Sequence, residues 1–159
     1  MNTYVIEYTD KKYSEIAPKK AVKAYLDRVC NLLAVKNVEF SVTFCDEEYI
    51  HNLNREYRNI DSPTDILSFA AEDSEDGFDF VVPARVKRNL GDMIICPEIM
   101  HANAETFGIT DNEELSRLLI HGILHLNGFD HKTNDMETEP MLIEQEKILR
   151  ETGEMDLNL

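Results

Sequence analysis

Basic residues are scarce in this chain. Sixteen lysines and arginines stand against 31 acids, a net charge of −15 at pH 7. That balance excludes a protein that coats nucleic acid by charge alone, which needs many cations against phosphates. A local basic cleft on an acidic body stays open. Cysteine is also rare: Cys30, Cys45 and Cys96 are odd in number, widely separated and set among apolar residues. A disulfide framework is therefore not expected, and buried reduced thiols in a cytoplasmic protein are. No apolar run approaches the ~20 residues of a membrane-spanning helix. The opening Met-Asn-Thr-Tyr-Val-Ile-Glu-Tyr lacks the charged-then-apolar layout of a signal peptide. With 43% hydrophobic and 30% charged residues, residues 1–159 are expected to form one soluble domain, large enough to bury a core without staples.

Histidine is sparse too, yet concentrated. Three of the five histidines fall in His121-Gly-Ile-Leu-His125-Leu-Asn-Gly128-Phe-Asp130-His131. His121 and His125 are spaced i, i+4, so on a helix they share one side with Cβ atoms roughly 5–6 Å apart. That suits two imidazoles gripping one cation at about 2.0–2.1 Å. Gly128 can take positive φ, end the helix and turn the chain back, which would bring His131 round as a third ligand. Three nitrogens and an open fourth position describe a catalytic zinc site rather than a structural one. The spacing is that of the metzincin proteases, H-E-x-x-H-x-x-G-x-x-H, except that Gly122 stands where they carry the general-base glutamate. The metal grip is present and the protease base is missing, which points to chemistry other than peptide hydrolysis.

The periodicities around this stretch alternate strand and helix. Residues 3–9 read as a strand, and a helix from Pro18 carries Ala21, Val22, Tyr25, Leu26, Val29, Cys30 and Leu33 on one stripe. Residues 37–45 alternate as a half-buried strand, so the first two strands are expected to share a sheet. Asp46 caps a helix over 47–57; His51, Arg55 and Arg58 share a face if it persists that far, a solvated face in the case of His51. Residues 64–70 and 90–96 read as further strands, and Pro97 opens a helix to about Phe107, with His101 at its surface. Between them lie five acids in 72–79, read as a solvated loop, and a basic turn with Arg85, Lys87 and Arg88. Asp111 is expected to cap the histidine helix, which is apolar nearly all round and therefore buried. On its histidine stripe, Glu114 and Arg117 are either supports for the site or an ordinary ion pair. The last helix is placed at about 134–152, with Pro140 in its first turn or at a kink.

His121-Gly-Ile-Leu-His-Leu-Asn-Gly-Phe-Asp-His131 closely resembles the H-G-x-L-H-L-x-G-[YF]-D-H signature of the YbeY family, single-strand-specific endoribonucleases of ribosome maturation. Leu53-Asn-Arg-Glu-Tyr57-Arg58 followed by Asp61-Ser-Pro-Thr64-Asp65-Ile-Leu-Ser-Phe is similar to that family's second block, and Leu90-Gly-Asp-Met-Ile-Ile to its third. The resemblance implies a zincin-like α+β domain, with a small mixed sheet of about four strands, about five helices, and the metal on a buried helix. It implies zinc bound by His121, His125 and His131, with Arg58 and His121 as the catalytic residues. It further implies single-stranded ribosomal RNA as substrate rather than DNA, 3′-end processing of the small-subunit RNA, and ribosome quality control. The partners implied are a small-subunit ribosomal protein and an Era-type GTPase. Phe129 stands where tyrosine is common.

The chemistry expected is attack on an RNA phosphodiester. The ion either polarises a phosphoryl oxygen or acidifies a water, and Arg58 offers a planar, permanently charged fork for phosphate. Asp130 is either a carboxylate that orients His125 or His131, or a plain turn residue. Nickel would also accept the site. Two other functions fit parts of the pattern: a metallopeptidase, and a ribosome-assembly factor whose metal only staples the fold.

Overall fold

The computed structural model describes residues 1–71 and 86–159, so the acidic run 72–79 and Arg85 lie outside the described residues. Four strands form one sheet in the order β1-β2-β4-β3. These are β1 (Thr3–Tyr8), β2 (Val38–Phe44), β3 (Ile66–Ala70) and β4 (Arg88–Ile95). β1, β2 and β4 run parallel, whereas β3 is antiparallel to β4 and occupies an edge. The helices are α1 (Tyr13–Ile16), α2 (Lys19–Leu32), α3 (Glu47–Arg58), α4 (Pro97–Phe107), α5 (Asp111–Leu126) and α6 (Pro140–Thr152). The fold is the expected small α+β domain, with a one-turn helix, α1, between β1 and α2.

Strand alternation divides the core in two. On one face Tyr4, Ile6, Phe40, Val42, Met93 and Ile95 meet the apolar stripes of α2 and α5, including Tyr25, Leu26, Leu119 and Ile123. Ile50 of α3 joins Leu67, Ile94, Cys45 and Cys96 in a second, smaller cluster. The three thiols are free and buried, as expected. Burial raises each above its ordinary pKa, Cys45 to about 12 and Cys30 and Cys96 to about 11, which keeps them protonated and inert.

α5 is the pillar of the domain: it packs against α2, α4, α6, β3 and β4. Ten of its sixteen residues are buried, which confirms the reading of a helix apolar nearly all round. Its cap is Thr110, not Asp111. Thr110 Oγ1 accepts the amide of Glu113 at 3.1 Å, and Asp111 instead joins Glu113 and Glu114 in the first turn, where the helix dipole favours acids. Asp111 also accepts from His101 Nδ1 at 2.8 Å, tying α4 to α5 and raising the pKa of that imidazole. The last helix begins at Pro140 rather than near Asn134. A proline lacks the N–H that an interior position requires, and the first turn is where that loss costs nothing. β3 likewise begins at Ile66, two residues later than its β-branched sequence suggests. The Asp65 carboxylate is drawn inward instead, where it accepts from Asn103 at 3.2 Å, and burial raises its pKa.

Candidate metal centre and its cleft

His121 and His125 lie on the exposed-most stripe of α5, one turn apart, with ring centroids 4.6 Å from each other. The helix stops at Asn127. Gly128 then takes φ +92°, a conformation that L side chains rarely adopt, although a Cβ there would meet nothing within 4 Å. Backbone handedness alone explains this glycine. The reversal does two jobs. It places the Phe129 carbonyl 3.0 Å from Nδ1 of His125, and it returns His131 to within 5.2 and 5.3 Å of the other two rings, centroid to centroid. One ligand nitrogen from each histidine falls within 4.8 Å of the others.

The hydrogen bonds behind the rings decide which nitrogens face inward. His121 Nδ1 lies 2.6 Å from Gln145 Oε1, and His131 Nδ1 lies 2.8 Å from the Thr133 carbonyl. With Phe129 behind His125, all three Nδ1 atoms meet oxygens that only accept, so each Nδ1 carries the proton and each Nε2 is left with a bare lone pair. His121 Nε2 and His125 Nε2 are 3.1 Å apart. Two lone pairs at that distance repel unless a cation sits between them. A tetrahedral ion with ligands at about 2.05 Å separates neighbouring nitrogens by about 3.3 Å, so the residues present fit a divalent metal. Burial lowers the pKa of His121, with the nearby His131 adding to the effect and the Gln145 hydrogen bond opposing it. His125 is pushed down to about 4 by burial and by the two adjoining imidazoles. Low basicity keeps both rings in the neutral form that binds metal.

Gln145 escaped the sequence reading as a site residue. It stands in the apolar stripe of α6 with Met141, Leu142, Ile148 and Leu149 and is 3% exposed; a lone amide in such a stripe was the available signal. Its Nε2 donates to Glu146 Oε2 at 3.0 Å, which leaves Oε1 for His121. Glu146 receives Arg117 through Nε at 3.0 Å and Nη2 at 3.1 Å, and Arg117 also reaches Glu113 at 3.2 Å and Glu114 at 3.6 Å. Arg117 and Glu114 therefore belong to an ion-paired group that anchors α6 to α5 and connects to His121 through Glu146 and Gln145. Asp130 is the turn residue of the two readings. Its carboxylate accepts the amide of His131 at 2.8 Å, and carbonyls, not Asp130, orient the rings of His125 and His131.

The three histidines open into a cleft of about 1440 Å³, walled by β3 and the ends of α3, α4 and α5. Arg58, at the last residue of α3, lines the same cleft. Its Nη2 donates to the Ser68 carbonyl at 2.7 Å, and its guanidinium lies 5.4 Å above the Phe69 ring. The structure thus brings together Arg58 and the trio, which are 63 residues apart in sequence at their nearest. His51 and His101 are not part of the cleft lining; His51 instead pairs with Asp61 at 2.7 Å. The second residue missed by sequence is Ser68 of β3, also on the cleft wall. Its Oγ is shielded from solvent and has no hydrogen-bond partner among the described residues. An orphaned hydroxyl costs about 1–3 kcal/mol.

Gly122 explains the missing protease glutamate in structural terms. A Cβ there would lie 2.1 Å from Met93 Sδ, against β4 and away from the cleft. Position 122 is where α5 closes on the sheet.

Comparison with known proteins identifies relatives over nearly the whole chain. The sequence model of the family described as endoribonuclease YbeY matches residues 4–153. A protein of that name from Treponema denticola is 41% identical over 156 residues, covering 98% of this chain and 97% of its own. Another from Sulfurihydrogenibium is 42% identical over 136 residues, covering 86% and 84%. Among solved structures, the solution structure of a Thermotoga maritima protein superposes with a TM-score of 0.61 at 28% identity, over 94% of this chain and 88% of that one.

Proposed function

The chain belongs to the YbeY endoribonuclease family, and from that premise we propose that it cleaves single-stranded ribosomal RNA with one zinc ion held by His121, His125 and His131. The enzyme is a hydrolase acting on RNA. One observation supports the assignment of the site: each Nδ1 faces an accepting oxygen, and one ligand nitrogen from each of the three rings lies within 4.8 Å of the others beside an open cleft. A structural zinc is closed by four protein ligands, whereas three beside open space leave a position for reaction.

When bound, the ion supplies Lewis-acid polarisation of a phosphoryl oxygen and acidifies a water. The protein's own groups do the rest. Gln145 and two main-chain carbonyls hold the imidazoles in the binding tautomer, so no reorientation is needed on loading. Arg58, stiffened by the Ser68 carbonyl and the Phe69 face, offers its remaining N–H groups to the non-bridging oxygens of the phosphodiester. Zinc is the expected metal because three neutral imidazoles and a tetrahedral vacancy suit it; nickel would occupy the same donors.

Within the cell we place this activity in small-subunit 3′-end maturation and ribosome quality control in the cytoplasm, with a small-subunit ribosomal protein and an Era-type GTPase as partners. The net charge of −15 supports docking on a protein as a source of RNA affinity. No described helix is long and apolar enough to cross a membrane. The test is cleavage of a single-stranded RNA by zinc-loaded protein purified without a histidine tag, beside His121→Ala and an identically purified Arg58→Glu. Lost cleavage with retained melting in His121→Ala supports catalysis. Parallel collapse of the fold would favour a structural metal, and undiminished cleavage by Arg58→Glu would indicate a contaminating ribonuclease.

A further inference from the structure

Exposed apolar side chains are ordinary when scattered and informative when they gather. Among the described residues four aromatic side chains are exposed: Tyr49, Tyr57, Phe107 and Phe129. Three of these, Tyr57, Phe107 and Phe129, line the histidine cleft, at 65%, 67% and 46% exposure. They arrive from separate elements. Tyr57 is in the last turn of α3, Phe107 ends α4, and Phe129 sits in the reversal after α5. Tyr57 is braced edge-on against Phe69, centroids 5.6 Å apart at 69°, and Phe69 is the same ring that carries Arg58. A guanidinium and an open aromatic ring are thereby mounted side by side on one support.

The charge of the cleft gives these rings their meaning. Five carboxylates line it, Asp65, Glu113, Glu114, Asp130 and Glu146, against two guanidinium groups. Arg117 is consumed by Glu113, Glu114 and Glu146. Among the described residues of the lining, Arg58 is the one cation without a carboxylate partner. Even with a dication on the histidines, such a surface is poor at holding a polyanion by its phosphates. A strand that binds here needs an uncharged handle, and its bases are the handle that rings can grip.

We infer that Tyr57, Phe107 and Phe129 are stacking platforms for unpaired nucleobases, and that they supply most of the protein's own affinity for RNA, apart from any partner, and its single-strand preference. The inference rests on the RNA-cleaving reading above. Base faces in a duplex are covered by their neighbours, so rings of this kind can engage only a strand that is unstacked. Stacking on aromatic side chains also tolerates any base, because every base has a π-face.

The test is fluorescence anisotropy with the zinc-loaded protein, a labelled single-stranded oligoribonucleotide, and the same backbone carrying abasic sites, with strand integrity checked on gels. Zinc content and melting temperature are measured for each variant. Tyr57→Ala and Phe129→Ala should each weaken binding about tenfold or more, and Tyr57→Phe should bind like the parent. The abasic strand, which keeps every phosphate, should lose affinity on the unaltered protein. A tenfold rise in salt should weaken binding only about fivefold, the response to a single phosphate contact. Equal binding of the abasic strand, or alanine variants within twofold of the parent, overturns the inference while leaving cleavage standing. Should the parent protein neither bind nor cleave RNA, the functional reading and this inference fall together.

Discussion

Gln145 holds its side-chain oxygen 2.6 Å from Nδ1 of His121 across 24 residues of sequence, and Glu146 fixes the amide that presents it. Partners behind a metal-binding imidazole set its tautomer and aim, and removing one typically costs ten- to a hundredfold in metal affinity. Gln145→Leu should therefore loosen zinc by about that factor in a chelator-competition titration, with a changed cobalt absorption spectrum. The melting temperature of the metal-free protein should move little, since leucine suits the surrounding apolar stripe. Unchanged zinc affinity would show that His121 orients itself.

The His121–His131 stretch was legible because its spacing encodes geometry locally: i, i+4 on a helix and a glycine before the third ring. The apolar stripes of α2 and α5 and the alternation of β2 were legible for the same reason. What sequence does not encode is contact between distant segments. Gln145 looked like one more position in a helical stripe, and Ser68 like a strand residue, until α6 and β3 were set against α5. Asp130 stood open between two readings. Proximity in sequence to His131 suggested a partnership of side chains, whereas the turn consumes that carboxylate on a backbone amide. The cap at Thr110 shows how two adjacent capping residues compete, with the one whose side chain accepts the Glu113 amide, three residues ahead, prevailing.

Ser68 should separate activity from stability. Its Oγ is shielded and unpartnered, so Ser68→Ala removes an unsatisfied group and should leave the melting temperature unchanged or raised. If the wall shifts on binding so that the hydroxyl reaches the phosphodiester, cleavage should fall about tenfold or more in the same variant. Arg58→Ala should fall further, about 10²–10³-fold, and Arg58→Lys should not restore it, because an ammonium cannot replace the planar fork. Neither change should alter zinc content. Full activity in Ser68→Ala would remove that residue from the substrate's path.

The low basicity of the rings shifts the acid limit of the site. Free imidazole titrates near 6.5, and a site built from such groups would shed its metal below that value. Here His121 lies below its ordinary range and His125 near 4. Protons compete less well for these nitrogens, so dialysed protein should keep its metal at about pH 6 and lose it toward pH 4. The metal-free protein behaves consistently. Its folded rings bind fewer protons than the unfolded chain between the two pKa values, so stability falls as pH drops from about 6.5 toward 4 and levels off below. Metal analysis and melting across that range check both, and metal loss already complete at about pH 6 would contradict the shift.

Restoring the protease motif should break the fold rather than create a peptidase. Gly122→Glu completes H-E-x-x-H, but the new Cβ points at Met93, with Sδ 2.1 Å and Cγ 2.8 Å away. Met93 is fully buried in β4. Met93 must repack within the core, or α5 must lift from the sheet. Overpacking of this kind costs about 1–3 kcal/mol, and a carboxylate driven into an apolar layer adds several more unless it finds a partner. Denaturant unfolding of Gly122→Glu should show a loss of about 3 kcal/mol or more, and casein should remain uncut. Gly122→Ala separates the two causes, since it carries the Cβ without the charge and should show the smaller, steric loss, partly offset by the better helix propensity of alanine. A Gly122→Glu protein as stable as the parent would mean that position 122 faces the cleft, and the packing of α5 against β4 described here would be wrong.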